Sequence, residues 1–564
     1  MFQNENETIS SNHKNQSSRA SEPIIQTAII NFHDRTIPVP DCLDNLNEFF
    51  GIFKLKIRSE IAIRKELHVH LNVDKSGSMS ERCSDGSTKM HHIQHTLENI
   101  LRIFHKKPEA NISVHIKSFD SDIYTSVDTI EDIKCKTAEE LDEIVAQIHN
   151  IAADGSTNIE KTLISAATQL KQVLKDKLDT HIAHILLTDG QITDGKKNKT
   201  YLKSLIDNDY PNIFLGYGLD HDNILLESLA STGKHNEYRF IDNLEKAGLV
   251  YGEVIHQLLY TAIEDVTLKA ENCEIYDFET NTWTNTLYIG HLVSEQEKTY
   301  QIRSKNPNTK DAQIAVYGRT IHKTRPTEVL TDDIVLQTHA VPVIMQTIPC
   351  DLTNYLFRQK TQELLFLTKE LHTRESNKEE DPFTKYKLVL ENRKEEKEEK
   401  EDLKKKMQDF FKTMLDYVEA IQMKDNAFYK MLCDDMYIAI KSFEIENGHM
   451  FATARHTSQG RQQSYTPRFA DDESLTDLDL NLKQPKLKRG YTLDPNQKQN
   501  QKQNQKQNQS NNNLSRYTLS QDDMSPYSSI GQVKMMRDVS LNANTTNKTT
   551  DTNKTNTIFS LDAP

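Results

Sequence analysis

The sequence predicts an α/β fold: a doubly wound, mostly parallel, Rossmann-like sheet over residues 66–262, followed by a small antiparallel β-sandwich-like domain and an α-helical region. Two observations carry the central prediction. Short strand-like runs (LHVHLNV, ISVHIKSF, IYTSVD, HIAHILLT, NIFLGYG, YRFI) recur along this stretch. Between them MHHIQHTLENILRIF, AEELDEIVAQIHNI, IEKTLISAATQLKQVL and LVYGEVIHQLLY repeat apolar residues at helical spacing. Strands alternating with helices build a parallel sheet covered on both faces.

The remaining segments read differently. Residues 1–24 are polar and turn-rich, a disordered arm that buries too little apolar surface to offset its ordering entropy. Residues 25–65 form a β-rich lead-in, whose runs TAIINF and FFGIFKLKI are suited to joining a neighbouring sheet. Residues 263–340 switch to period-two alternation, the β-rich domain, with the single tryptophan, Trp283, as a core or edge residue. Residues 341–451 return to helical spacing and contain the charge run ENRKEEKEEKEDLKKK, a solvated helix held by i,i+4 pairs, with a coiled-coil contact as the alternative. Residues 452–564 are low-complexity and predict a disordered tail, in which RGYTLD and SRYTLS recur around Tyr491 and Tyr517.

Composition narrows the function. At 564 residues and about 100–200 residues per domain, the chain holds two or three folded units. A net charge of −14 excludes a nucleic-acid footprint. The six cysteines stand singly, which excludes a zinc module of C-x-x-C pairs and a disulfide framework; they read as free thiols of a reducing, cytoplasmic compartment. The amino terminus lacks an apolar leader core and no run is long enough to span a bilayer, so neither membrane nor secretion is expected.

Three short motifs carry the chemistry. DKSGS places Asp74, Ser76 and Ser78 just beyond the first central strand, GSTN places Thr157 in the loop before a helix, and TDG ends a buried strand in Asp189. In an open α/β sheet ligands bind outside the carboxyl ends of the strands, where the strand order reverses. Two carboxylates and three hydroxyls, without thiolate, suit a hard six-coordinate cation: Mg²⁺, with Mn²⁺ or Ca²⁺ as alternatives. Short Asp and Ser side chains leave coordination positions to water or an incoming carboxylate.

This set, in order D-x-S-x-S, G-x-T-N, T-D-G, resembles the metal-ion-dependent adhesion site of von Willebrand factor A (VWA) domains. The resemblance covers roughly residues 66–262. It implies that Ser76, Ser78 and Thr157 touch the metal through their hydroxyls, that Asp74 and Asp189 act directly or through water, and that an acidic residue of a protein partner fills the open position. One departure is Asp154, which adds a carboxylate where a second glycine is common in the family.

Enzymatic readings find little support. DKSGS is not a G-x-S-x-G elbow, GYGLDH is one glycine short of a dinucleotide fingerprint, and no phosphate-binding P-loop occurs. His91, His92 and His95 share helix spacing as zinc ligands do, but lack the H-E-x-x-H carboxylate and are read as surface residues of the first helix. The expectation is a metal-dependent protein-binding module and not an enzyme. The alternatives are a structural or assembly component that self-associates through the helical region and tail, and a Mg²⁺-dependent hydrolase or phosphotransferase relying on Lys75 and the histidines.

Overall fold

The computed structural model describes residues 25–46, 49–58, 64, 66–83, 86–177, 180–218, 220–241, 247–304, 311–320, 336–337, 344–345, 350–379, 392–444, 448–463 and 525–540. The arm at 1–24 and both tyrosine motifs of the tail lie outside them.

The central unit is a six-stranded sheet. Its strands are β3 (Glu66–Asp74), β4 (Asn111–Phe119), β5 (Ile123–Ile130), β6 (His181–Thr188), β7 (Asn212–Tyr217) and β8 (Glu237–Ile241), in the order β5-β4-β3-β6-β7-β8. All neighbours are parallel except the edge pair β4–β5. Helices α1 (Lys89–His105), α2 (Ala138–His149) and α6 (Ala247–Tyr260) cover one face, while α3 (Ile159–Asp176), α4 (Lys199–Lys203) and α5 (Asn223–Ala230) cover the other. Each face has its own apolar core: Val69, Leu71, Ile93, Leu97, Ile185 and Val254 on the first, Phe119, Leu163, Leu186, Phe214 and Leu225 on the second. Sequence order runs outward from β3 on one side and from β6 on the other, so the reversal point lies between these two strands.

The sandwich, antiparallel apart from the β1–β16 pair, is assembled from two distant pieces of chain. One sheet runs β11 (Thr282–Thr284), β10 (Cys273–Asp277), β13 (Glu297–Ser304), β2 (Phe50–Ile57), β1 (Ile25–Phe32) and β16 (Ile344–Met345). The second runs β12 (Thr286–Val293), β9 (Thr261–Glu271), β14 (Gln313–Thr320) and β15 (Leu336–Gln337). Tyr300 pairs with Phe53 and Arg303 with Phe50, so the lead-in strands are structural members of the sandwich. The central unit is therefore inserted into the sandwich between β2 and β9. Trp283 sits half-buried on edge strand β11 against Tyr276 and Arg303.

Helices α7 (Thr353–Glu379), α8 (Asn392–Ala420), α9 (Ala427–Ser442) and α10 (His449–Arg461) pack through Leu356, Phe357, Leu365, Met407, Phe411, Met414, Leu432 and Met436. Helix α8, which carries the charge run, therefore buries one face within this cluster.

The disordered reading of residues 452–564 is corrected by two helices. Helix α10 continues to Arg461, and α11 (Ile530–Ser540) docks on α6 and α1. Ser529 and Gln532 form a reciprocal cap at the start of α11, and Met535, Met536 and Val539 are buried. The crossing is close because α6 offers glycines four residues apart: a Cβ on Gly252 would lie 2.5 Å from Met536 Cα, and one on Gly248 would lie 2.8 Å from Ser540 Cα.

Candidate metal-binding site

Three loops meet beyond the ends of β3 and β6, laced by backbone hydrogen bonds. The Gly77 N–H donates to Gly155 O (3.0 Å) and the Asp154 N–H to Lys75 O (2.7 Å), joining the first loop to the second. The N–H groups of Thr193 and Asp194 both donate to Thr157 O, and the Thr157 N–H donates to Thr193 Oγ1 (2.7 Å), joining the second to the third. Gly155 permits this approach, for it has φ +81° and a Cβ there would lie 3.0 Å from Asp120.

Within this frame Asp74 is buried at the end of β3, accepting the Ser76 N–H on Oδ1 (2.8 Å) and the Thr188 hydroxyl on Oδ2 (2.6 Å). Ser76 Oγ lies 3.1 Å from Ser78 Oγ, and Ser78 Oγ donates to Asp189 Oδ1 (2.7 Å). Thr157 reaches the same place: a Cβ built on Gly190 would lie 3.7 Å from Thr157 Oγ1 and 3.8 Å from Ser78 Oγ. All five residues proposed from sequence thus gather at one sheet edge. Burial pushes the Asp74 carboxyl up to about 6, against hydrogen bonds from Ser76 and Thr188, and neighbouring Asp189 adds to the rise. Asp154 is exposed, its carboxylate accepting the Gly155 N–H.

Sequence reasoning missed two contributors. Thr188, inside the TDG motif's strand, fixes one oxygen of Asp74. Lys89, first residue of α1, places its ammonium 2.7 Å from Asp189 Oδ2 and 2.8 Å from Glu81. Only tertiary proximity reveals Lys89, because 100 residues separate it from Asp189.

The donor set passes a chemical test for a hard divalent cation. It offers oxygen only, and it already gathers one positive charge, the Lys89 ammonium, onto Asp189. Both oxygens of Asp74 are occupied by donors, so the hydroxyls of Ser76, Ser78 and Thr157 are the groups placed to ligate, with the carboxylates behind them supplying charge.

No protein-family profile and no curated protein matches the sequence. Similar solved structures include a von Willebrand factor type A protein from Catenulispora acidiphila (10% identity, 63% of this chain and 83% of that one, TM-score 0.39). The ArnB paralog VWA2 from Sulfolobus acidocaldarius is another (14% identity, 74% and 94%, TM-score 0.39). A third is proximal thread matrix protein 1 from the mussel byssus, in a form with a zinc-occupied MIDAS motif (15% identity, 36% and 47%, TM-score 0.27). The strand order, with its single antiparallel edge, gives the central unit a doubly wound, mostly parallel α/β architecture. Around it the chain adds a split sandwich and a helical region.

Proposed function

We propose that the chain is a protein-binding module in which Asp74, Ser76, Ser78, Thr157 and Asp189 hold Mg²⁺, or alternatively Mn²⁺ or Ca²⁺, and through it capture an acidic side chain of a partner protein. The observation that supports this most is the convergence of three hydroxyls and two carboxylates at the point where strand order reverses. A bound divalent cation supplies a coordination position that a carboxylate from outside completes. Ser78 is the most accessible of the ligating hydroxyl residues, while Asp74 and Asp189 stay buried and keep the charge fixed behind them.

The residues that a phosphotransfer mechanism needs are otherwise engaged, which favours binding over catalysis. Lys75 is paired with Asp120, and His91 faces His95 at 2.9 Å. Among the described residues no helix is long and apolar enough to cross a membrane.

The test has two parts. Mn²⁺ binding followed by electron paramagnetic resonance should show one site in the wild-type chain, weakened at least about tenfold in Ser76→Ala and Ser78→Ala. Capture from cell extract in Mg²⁺ or EDTA should then retain a partner only with wild type in Mg²⁺, and mutation of one acidic residue in that partner should release it. Equal catches in EDTA would overturn the proposal.

A further inference from the structure

Helix α1 passes from Lys89 at the first site to a second cluster two turns on. His95 and Glu98 share its surface, and His149, the last residue of α2, meets them from 51 residues beyond Glu98. His149 Nε2 lies 2.9 Å from Glu98 Oε2, and His95 Nδ1 lies 3.8 Å from the same oxygen. One ligand atom from each of the three residues falls within 4.8 Å of those of the other two. Of the histidines read as surface residues of this helix, His91 is exposed and His92 and His95 are half-buried.

The surroundings orient each group. Glu98 is 4% exposed, and its other oxygen, Oε1, accepts from Arg102 Nε (2.9 Å), which leaves Oε2 turned to the two imidazoles. Gln94 donates its amide to the carbonyls of His149 (3.2 Å) and Ile151 (2.9 Å), pinning the end of α2 to α1. His149 occupies the last turn of α2, where the helix dipole favours positive charge.

The protonation pattern then matters. His95 Nε2 lies 2.9 Å from His91 Nε2, so one of these nitrogens carries the shared proton. With that proton on His95, its Nδ1 presents a lone pair. This atom is buried and has no hydrogen-bond partner among the described residues. It faces a carboxylate oxygen at 3.8 Å, too far for a proton to bridge as a hydrogen bond. Ligand atoms on a tetrahedral ion with bonds of about 2.0–2.1 Å sit roughly 3.3 Å apart. The two separations to Glu98 Oε2, 2.9 and 3.8 Å, bracket that spacing.

We propose that His95, Glu98 and His149 form a second, separate cation site that takes a borderline transition ion of the Zn²⁺ class, with three protein ligands and one open position. Imidazole nitrogens select such an ion, whereas the all-oxygen donors at Asp74 and Ser76 select a hard one. His91 and Arg102 act as positioning residues, one fixing the tautomer of His95 and the other the carboxylate of Glu98. The bound ion ties α2 to α1.

The experiment uses the full chain, stripped with chelator, supplied with excess Mg²⁺, and titrated with Co²⁺ under visible absorption, followed by displacement with Zn²⁺. One equivalent should give the strong d–d bands of a four- or five-coordinate nitrogen–oxygen site, bleached by Zn²⁺. His149 is exposed, so His149→Ala should keep the far-ultraviolet circular dichroism and melting temperature of the metal-free chain while affinity falls at least about 100-fold. His91→Ala should lower affinity about tenfold, and Ser78→Ala should leave it unchanged. Absence of bands in the wild type, thiolate charge-transfer bands in their place, or bands surviving in His149→Ala would overturn the proposal.

Discussion

The central sheet and the sandwich that frames it both bury apolar cores, but they differ in the polar groups set among them. In the sandwich the interior is aliphatic, with Ile30, Leu55, Val266, Leu268 and Ile302 packed between two sheets. The central sheet instead runs a polar row across four adjacent strands, His115, His70, His184 and Asn212, in direct register. His184 is satisfied by Asn72 and Asn212, whereas neither ring nitrogen of the fully buried His70 has a hydrogen-bond partner among the described residues. Such a row costs stability. The central unit, which carries both candidate sites, therefore holds buried imidazoles that its packing leaves unsatisfied.

Acid should break the pair apart most visibly. Burial lowers His68, His115 and His184 to about 4 and pushes His70 well below its ordinary value. These folded values lie below the unfolded value of 6.5, so the unfolded chain binds more protons. Their contribution is complete above about pH 6.5 and is lost as pH falls toward 4, by about 3 kcal/mol for His184 alone. In the sandwich, Glu264 is held down to about 2 against burial by Arg64 beside it, and its contribution is lost only between about pH 4.5 and 2. Hydrogen exchange across this range should show β3, β4 and β6 losing protection before β2, β9 and β13. Simultaneous loss would contradict the comparison.

A smaller effect should come from the far end of the chain. Gly252→Ala drives a methyl into the backbone of α11 and should release that helix, lowering the stability of the central unit by about 1–3 kcal/mol. Limited proteolysis would detect new cleavage within 525–540, with the sandwich strands unaffected; an unchanged digest would mean that the close crossing is dispensable.

The smallest effect concerns Lys89. Because its ammonium lies on Asp189, Lys89→Met should tighten Mg²⁺ or Mn²⁺ binding by about tenfold without altering the sandwich. Titration calorimetry would register the gain, and weaker binding would assign Lys89 a supporting role instead.

The parts legible in the sequence were those whose signal is local. The parallel strands read as apolar runs, and Asp74 and Asp189 could be placed because each closes such a run. The pairing of β2 with β13 was not legible, because period-two alternation marks a strand but names no partner, and some 240 residues intervene between Phe53 and Tyr300. Helix α11 had a readable start, Ser529-x-x-Gln532 before an apolar run, yet its flanks are low-complexity and its burial depends on two glycines in α6. Lys89, Glu98 and His149 acquire meaning only through neighbours that the fold brings to them.

The insertion of the central unit between β2 and β9 has a mechanical side. The unit joins the sandwich by two crossings of the chain, and the Arg64 N–H, bonded to Leu259 O at 2.9 Å, fastens one to the other, while α6 runs into β9 from Tyr260 to Thr261 without an intervening linker. A force applied at the β3 and β6 ends is therefore shared by two covalent arms, and severing one leaves the load on the other.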